Sequence, residues 1–243
     1  MARDPGSLKS IDYSASEKDT MLITTLPRYD REVYDLNEPK DFKAYINDVK
    51  RMIRGSLEYQ RYIAYLRENA GMDHCAYLPN VTNCESFKIR IEIHHEPFTL
   101  YDIVLAVYMK RSAMREDVSP EMLAKEVMYI HYQKWVGLVP LCEMIHNLVH
   151  SCYLFVPSNI VFGQYRKFLE AYKPFIEPET LATIAKIEKM SETFDIDAVR
   201  QLIAPHLLMI DASKVGMPNA KEEILEYIKK NLDRLNASKP ENE

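Results

Sequence analysis

Four of the seven histidines fall in two short stretches, Ile91-Glu92-Ile93-His94-His95-Glu96-Pro97 and Gly137-Leu138-Val139-Pro140-Leu141-Cys142-Glu143-Met144-Ile145-His146-Asn147-Leu148-Val149-His150. A neutral imidazole binds transition metals and can also exchange a proton near pH 7, so such a grouping suits a metal centre with an acid–base group beside it. His146 and His150 are four residues apart, a spacing that sets both on one helix face, where they can close on a single ion. The first stretch alternates apolar and polar residues as a strand does, and a proline ends it. Three imidazoles, one from the strand end and two from the helix, can hold one divalent metal while the fourth stays free for proton transfer.

The elements that must position these residues are mostly helical. Six glycines among many Leu, Met, Lys and Glu residues favour helix. From Asp41 to Glu68 the apolar residues recur at three and four, with Asp41 as a cap, Gly71 as a stop and Gly55 as a point of bending. A strand is expected over 86–93. Two helices follow it, Phe98 to Met114 opened by Thr99 and Pro120 to Trp135 opened by Ser119 and Pro120. A second strand then runs into the His146/His150 helix. Further helices are expected at about 158–173, 178–192, 196–208 and 218–236, punctuated by prolines. The fold class is thus mainly α with a small β-hairpin. The organisation is an extended arm at 1–38 with a short strand at Met21–Leu26, a core at 39–155 carrying a helical insertion at about 98–135, and a C-terminal helical region at 156–243.

Composition bounds the chemistry. A hydrophobic fraction of 47% and a charged fraction of 28% are those of a soluble globular protein. No apolar run reaches the roughly 18 residues needed to span a bilayer, and the N-terminus lacks an apolar signal core, so a cytoplasmic protein without a membrane partner is expected. A net charge of −5 argues against non-specific coating of nucleic acid. A local basic face remains, formed by Lys43, Lys50, Arg51, Arg54 and Arg61. Lys50, Arg51, Arg54 and Arg61 are the candidates for phosphate contact, against the plainer reading of a solvated helix face. The four cysteines, Cys75, Cys84, Cys142 and Cys152, have no disulfide-framework spacing and are read as reduced thiols. Cys75 and Cys84 are too far apart for a zinc knuckle, with His74 a weak added ligand. His131 and His206 read as ordinary helix residues.

The pattern His94-His95-x-Pro97 after an alternating strand, followed by Leu138-Val139-Pro140-Leu141-Cys142-x-x-x-His146-x-x-x-His150, resembles the HNH superfamily of nucleases. The resemblance covers about 25 residues. It implies a ββα-metal motif embedded in the helical body, with His94, His146 and His150 as metal ligands and His95 as the general base. It also implies one divalent metal ion. An all-histidine set leans toward Zn, Mn or Ni over Mg, which prefers oxygen. Two positions depart from the superfamily's pattern. Gly137 stands where the asparagine that orients the catalytic histidine would be, so Gly137→Asn is expected to speed cleavage if the backbone there needs no positive φ. Ile145 stands at the second cysteine of the zinc knuckle, leaving Cys142 without a partner at the usual spacing. The run Ile91 to Ile103 also looks like HNH-type proteins of large tailed bacteriophages, which would place the protein in an infected host's cytoplasm or in a virion.

Two function classes follow. One is a metal-dependent endonuclease hydrolysing DNA, in which His95 deprotonates water and the ion neutralises charge on the phosphate. The other is a catalytically reduced HNH-scaffold protein with a nucleic-acid-binding, regulatory or structural role in a phage, meeting protein partners through the insertion or the C-terminal helices. The surroundings of His95 separate them: an open basic groove favours the nuclease, and burial under the insertion favours the scaffold.

Overall fold

The structure is a computed structural model that describes residues 34–83, 89–203 and Glu226. The expected arm strand at 21–26, the first part of the strand expected at 86–93, Cys84, His206 and the helix at 218–236, Glu226 apart, lie outside the described residues. What is described is mainly helical with one two-stranded antiparallel sheet. No helix among the described residues is long and apolar enough to cross a membrane.

The first stripe is two helices and not one. Helix α1 (Pro39–Gly55) starts two residues before Asp41, with Glu38 at its N-cap and a proline in its first turn. Asp41 sits in that turn, where a carboxylate suits the positive end of the helix. Ser56 then ends α1 and caps α2 (Leu57–Asn69), its hydroxyl donating to the Ile53 carbonyl at 2.7 Å and accepting from the Tyr59 amide at 3.1 Å. Strand β1 (Ile91–His95) starts late in the expected span and includes both histidines. Helix α3 (Leu100–Ala113) opens on a reciprocal capping box between Thr99 and Asp102. Helix α4 (Pro120–Tyr132) opens on Pro120, but the Ser119 hydroxyl is turned back to Asp117 and does not cap it. Strand β2 (Leu138–Cys142) and helix α5 (Glu143–His150) follow, then α6 (Tyr165–Tyr172), α7 (Pro178–Ser191) and α8 (Ile196–Ile203).

Two compact units divide the chain. The first takes the described residues up to Thr82 together with Ile91–Phe194. Its core is the packing of α1, α3 and α4, with Ile46, Ile53, Val104, Leu123 and Val127 almost fully buried. Helix α6 joins that core, its Phe168 meeting Phe98 edge-on at 4.9 Å. Beside it Arg111 and Tyr172 both bond the half-buried Glu126 at 2.7 Å, and Lys110 lies over the Tyr172 ring. The second unit takes the described residues among 83–90 and from Asp195 onward. Of it, α8 is capped by the Asp195 carboxylate, which accepts from the Asp197 and Ala198 amides.

Strands β1 and β2 pair with Ile91 opposite Cys142, Ile93 opposite Pro140 and His95 opposite Leu138. Every residue of β2 is buried. Its outer edge is covered, since Leu138 exchanges backbone hydrogen bonds with Phe162 and the Pro140 carbonyl accepts from Ala76 at 2.8 Å. Just beyond the paired residues the Glu96 amide donates to the Gly137 carbonyl at 3.0 Å. A Cβ on Gly137 would fall 1.8 Å from the Glu96 carbonyl oxygen and 2.7 Å from Val161. Main chain fills that space, so the expectation that Gly137→Asn would help is corrected: the position needs glycine for close approach, although its φ is not positive.

The pleat sends His94 and His95 to opposite faces. His95 turns into the core, buried against Tyr59, whose ring stacks on it, and against His131 of α4. Its Nε2 lies 3.0 Å from His131 Nε2, and His131 Nδ1 lies 2.7 Å from the Val127 carbonyl. A carbonyl only accepts, so His131 carries its proton on Nδ1; burial holds its pKa down to about 4, so its Nε2 is a bare acceptor. His95 must then donate from Nε2. Burial, and after it His131, Arg54 and His94, keep His95 well below the ordinary histidine range.

Two outcomes follow. Gly137→Ala should lower the unfolding free energy by at least about 2 kcal/mol, read by urea denaturation, because main chain must move to admit the methyl; unchanged stability would refute the close approach. For the histidines, folded pKa values lie below unfolded ones near 6.5, so the unfolded chain takes up protons first and stability falls as pH drops from about 6.5 toward 4. The loss at pH 5 relative to pH 7 should be on the order of 1–2 kcal/mol for His131. The double variant His95→Phe, His131→Leu should show a flatter dependence of its urea midpoint on pH, and an unaltered slope would sink this account.

Candidate metal centre

The site is built on one face of β1 and one face of α5. Alternation puts Glu92, His94 and Glu96 on the same side of β1. Helix α5 begins directly after β2, so the pairing of the strands carries His146 and His150, one turn apart, up against that side. One nitrogen from each of His94, His146 and His150 lies within 4.8 Å of the other two. The ring centroids are 5.1 Å apart for His94 with each helix histidine and 4.4 Å for the helix pair. His146 Nε2 and His150 Nε2 stand 3.0 Å apart. Nitrogens bound to one transition metal at about 2.0–2.1 Å lie roughly 3 Å from each other, so this spacing fits a shared ion.

The outer groups fit too. Glu92 Oε2 is 2.7 Å from His146 Nδ1, which fixes the proton there and aims the Nε2 lone pair at the cluster. Glu96 Oε2 stands 3.4 Å from His94 Nε2. Burial lowers the His146 pKa, Glu92 opposes that, and His150, His94 and Arg54 lower it further, so the ring is neutral and ready to ligate at pH 7. Both carboxylates lie at the two-residue period that separates His94 from His95, and that period is the signal by which the sequence could have named them.

The structure brings His94, His146 and His150 together and does not bring His95 to them; His95 is in the core with His131. Of the basic candidates, Arg54 is exposed and close enough to act electrostatically on His95 and His146. Lys50 is half-buried, its ammonium 6.0 Å from the Tyr101 ring centre and its pKa lowered by burial and then by Arg54. Arg51 is ion-paired with Asp48, and Arg61 is exposed on α2. His74 bonds Asp73 at 3.0 Å and takes no part in the cluster. Cys142 and Cys75 are both buried free thiols.

No curated protein and no solved structure matches the chain. The family described as bacteriophage G278-like virion protein matches residues 6–238, almost the full length, and the chain belongs to that family.

Proposed function

We propose that this chain is a phage virion component in which an HNH-like hairpin and helix serve as a metal-holding scaffold without hydrolysing DNA. The observation that carries this reading is the burial of His95. The residue that the superfamily resemblance makes the general base has its Nε2 proton engaged by His131 and sits in the core under α4, part of the helical insertion. A base must reach a water at the scissile phosphate, and His95 is directed away from the cluster that would hold the ion. Gly137 supports the same reading, because the place of the orienting asparagine is filled by the Glu96 carbonyl.

His94, His146 and His150 would hold one divalent ion, with Zn, Mn or Ni favoured over Mg by the nitrogen ligands. A bound ion would supply a cross-link between β1 and α5 where the sheet has only two strands. Glu92 positions His146 for it. The helical insertion α3–α4 and the C-terminal region are then the surfaces for protein contacts inside a particle, and Arg54 and Arg61 are the basic side chains left for DNA.

Elemental analysis after loading should find one metal per chain, lost in the His146→Ala, His150→Ala double variant. Glu92→Gln should weaken the affinity roughly 10- to 100-fold while leaving the stoichiometry at one. With Zn, Mn, Ni or Mg, nicking of supercoiled plasmid should be no faster than by the His95→Ala variant. Metal-dependent nicking that disappears in His95→Ala would restore the nuclease and overturn the scaffold.

A further inference from the structure

The two carboxylates on the His94 side of β1 meet the histidine cluster in different ways. Glu92 Oε2 is 2.7 Å from His146 Nδ1, the length of a charge-assisted hydrogen bond, and the Glu92 side chain is 45% exposed. Glu96 Oε2 stands 3.4 Å from His94 Nε2, and the Glu96 side chain is only 15% exposed. That distance is longer than the roughly 2.7–3.2 Å of an N–H···O bond. It is the separation of two donors on one tetrahedral ion, since a nitrogen at about 2.0–2.1 Å and a carboxylate oxygen at about 2.0–2.2 Å from the same zinc lie about 3.4 Å apart. The cluster offers three nitrogens, one short of the four donors that a structural zinc site holds. The Glu96 main chain is fixed at the end of the sheet, its amide on the Gly137 carbonyl at 3.0 Å and its own carbonyl oxygen where a Gly137 Cβ would fall. Only its side chain is left to move. Among the described residues its one ion-pair partner is His94, which is charged only when protonated. A carboxylate so sheltered from water beside three imidazoles suits a place that receives a cation.

We propose, on the metal-holding reading above, that Glu96 is the fourth ligand of the ion, which gives a closed set of three imidazoles and one carboxylate. Glu96 is not among the groups whose donor atoms all lie within 4.8 Å of one another, so its side chain swings toward α5 to complete the set. The ion enters on the side of His150, which is exposed, and Glu96 closes on it from the strand. Two strand residues and two helix residues then share the ion, and the cross-link between β1 and α5 is balanced. Closure also leaves no position for water. Water on an open zinc is the nucleophile of metal-dependent hydrolases, so a full protein ligand set has the donor count of a structural centre. Glu92 keeps a separate task, holding the His146 Nδ1 proton without touching the ion.

The test uses the full chain and cobalt(II), which occupies zinc sites and absorbs visible light strongly when four-coordinate and weakly when water raises the coordination number. Loaded wild type should show the strong band with one cobalt per chain. Glu96→Gln should bind cobalt more than about 100-fold more weakly, beyond the range of a carboxylate that acts only through a histidine, and its band should lose most of its intensity. Glu92→Gln should keep the wild-type spectrum at its own weaker affinity. Azide takes the place of water on a metal, so sodium azide should leave the wild-type spectrum unchanged and alter that of Glu96→Gln. If Glu96→Gln fails to fold, the azide experiment on wild type decides alone. Wild-type affinity and spectrum in Glu96→Gln, or a wild-type spectrum altered by azide, would remove Glu96 from the ion while the three-histidine centre stands. A wild-type chain that takes up no cobalt would overturn that centre and the fourth ligand together.

Discussion

The antiparallel pairing of Ile91–His95 with Leu138–Cys142 is the constraint on which the rest of this protein depends. Five residues on each side fix which way every side chain of β1 faces. One register delivers Glu92, His94 and Glu96 to a half-exposed surface and Ile91 and His95 to the core. A slip by one residue would exchange those sets, burying two carboxylates and exposing the imidazole that bonds His131. The register is enforced from outside the strands. Gly137 lets two main chains meet at a distance that no side chain tolerates, and Phe162 and Ala76 close the outer edge of β2. The helix carrying His146 and His150 starts where β2 ends, so its placement is a consequence of the same pairing.

Much of this was legible in the residues, for physical reasons that differ from element to element. The i, i+4 spacing of His146 and His150 fixes a shared helix face whatever surrounds it, and strand alternation separates His94 from His95 just as firmly. Both are properties of backbone geometry. The cap at Thr99 and the proline start at Pro120 are local chemistry as well, and the same signal stood unread at Pro39, two residues ahead of the Asp41 from which the first helix was expected. The break at Ser56 was legible only as a bend at Gly55, because the apolar stripe continues through it, and the serine's bonds to the Ile53 carbonyl and the Tyr59 amide make the stop. Apart from the meeting of His94 with His146 and His150, which the superfamily resemblance implied, long-range partners were not legible. Nothing in the spacing of His95 and His131 says that they touch, since that meeting is decided by how α4 packs.

The molecule thus keeps five of its seven histidines in two settings that solve opposite problems. Near the surface, His94, His146 and His150 are close together, with Glu96 beside His94 and Glu92 beside His146, carboxylates that tolerate a nearby positive charge. In the interior, His95 and His131 satisfy one another and the Val127 carbonyl, which keeps two polar rings in an apolar core at little cost while both stay neutral. The stacked Tyr59 and the edge-on Tyr62 complete that lining.

The insertion of α3 and α4 between the two strands has a kinetic consequence. A hairpin normally closes over a few residues and forms early, but here β1 and β2 are separated by two whole helices, and their pairing must bring together segments far apart along the chain. The packing of α3 and α4 on α1 joins segments farther apart still along the chain, so neither the helical core nor the sheet closes on local contacts alone. The insertion also divides the histidine cluster along the chain, since His94 precedes it and His146 and His150 follow it, so a chain growing from its N-terminus has all three imidazoles only after the whole insertion has been made.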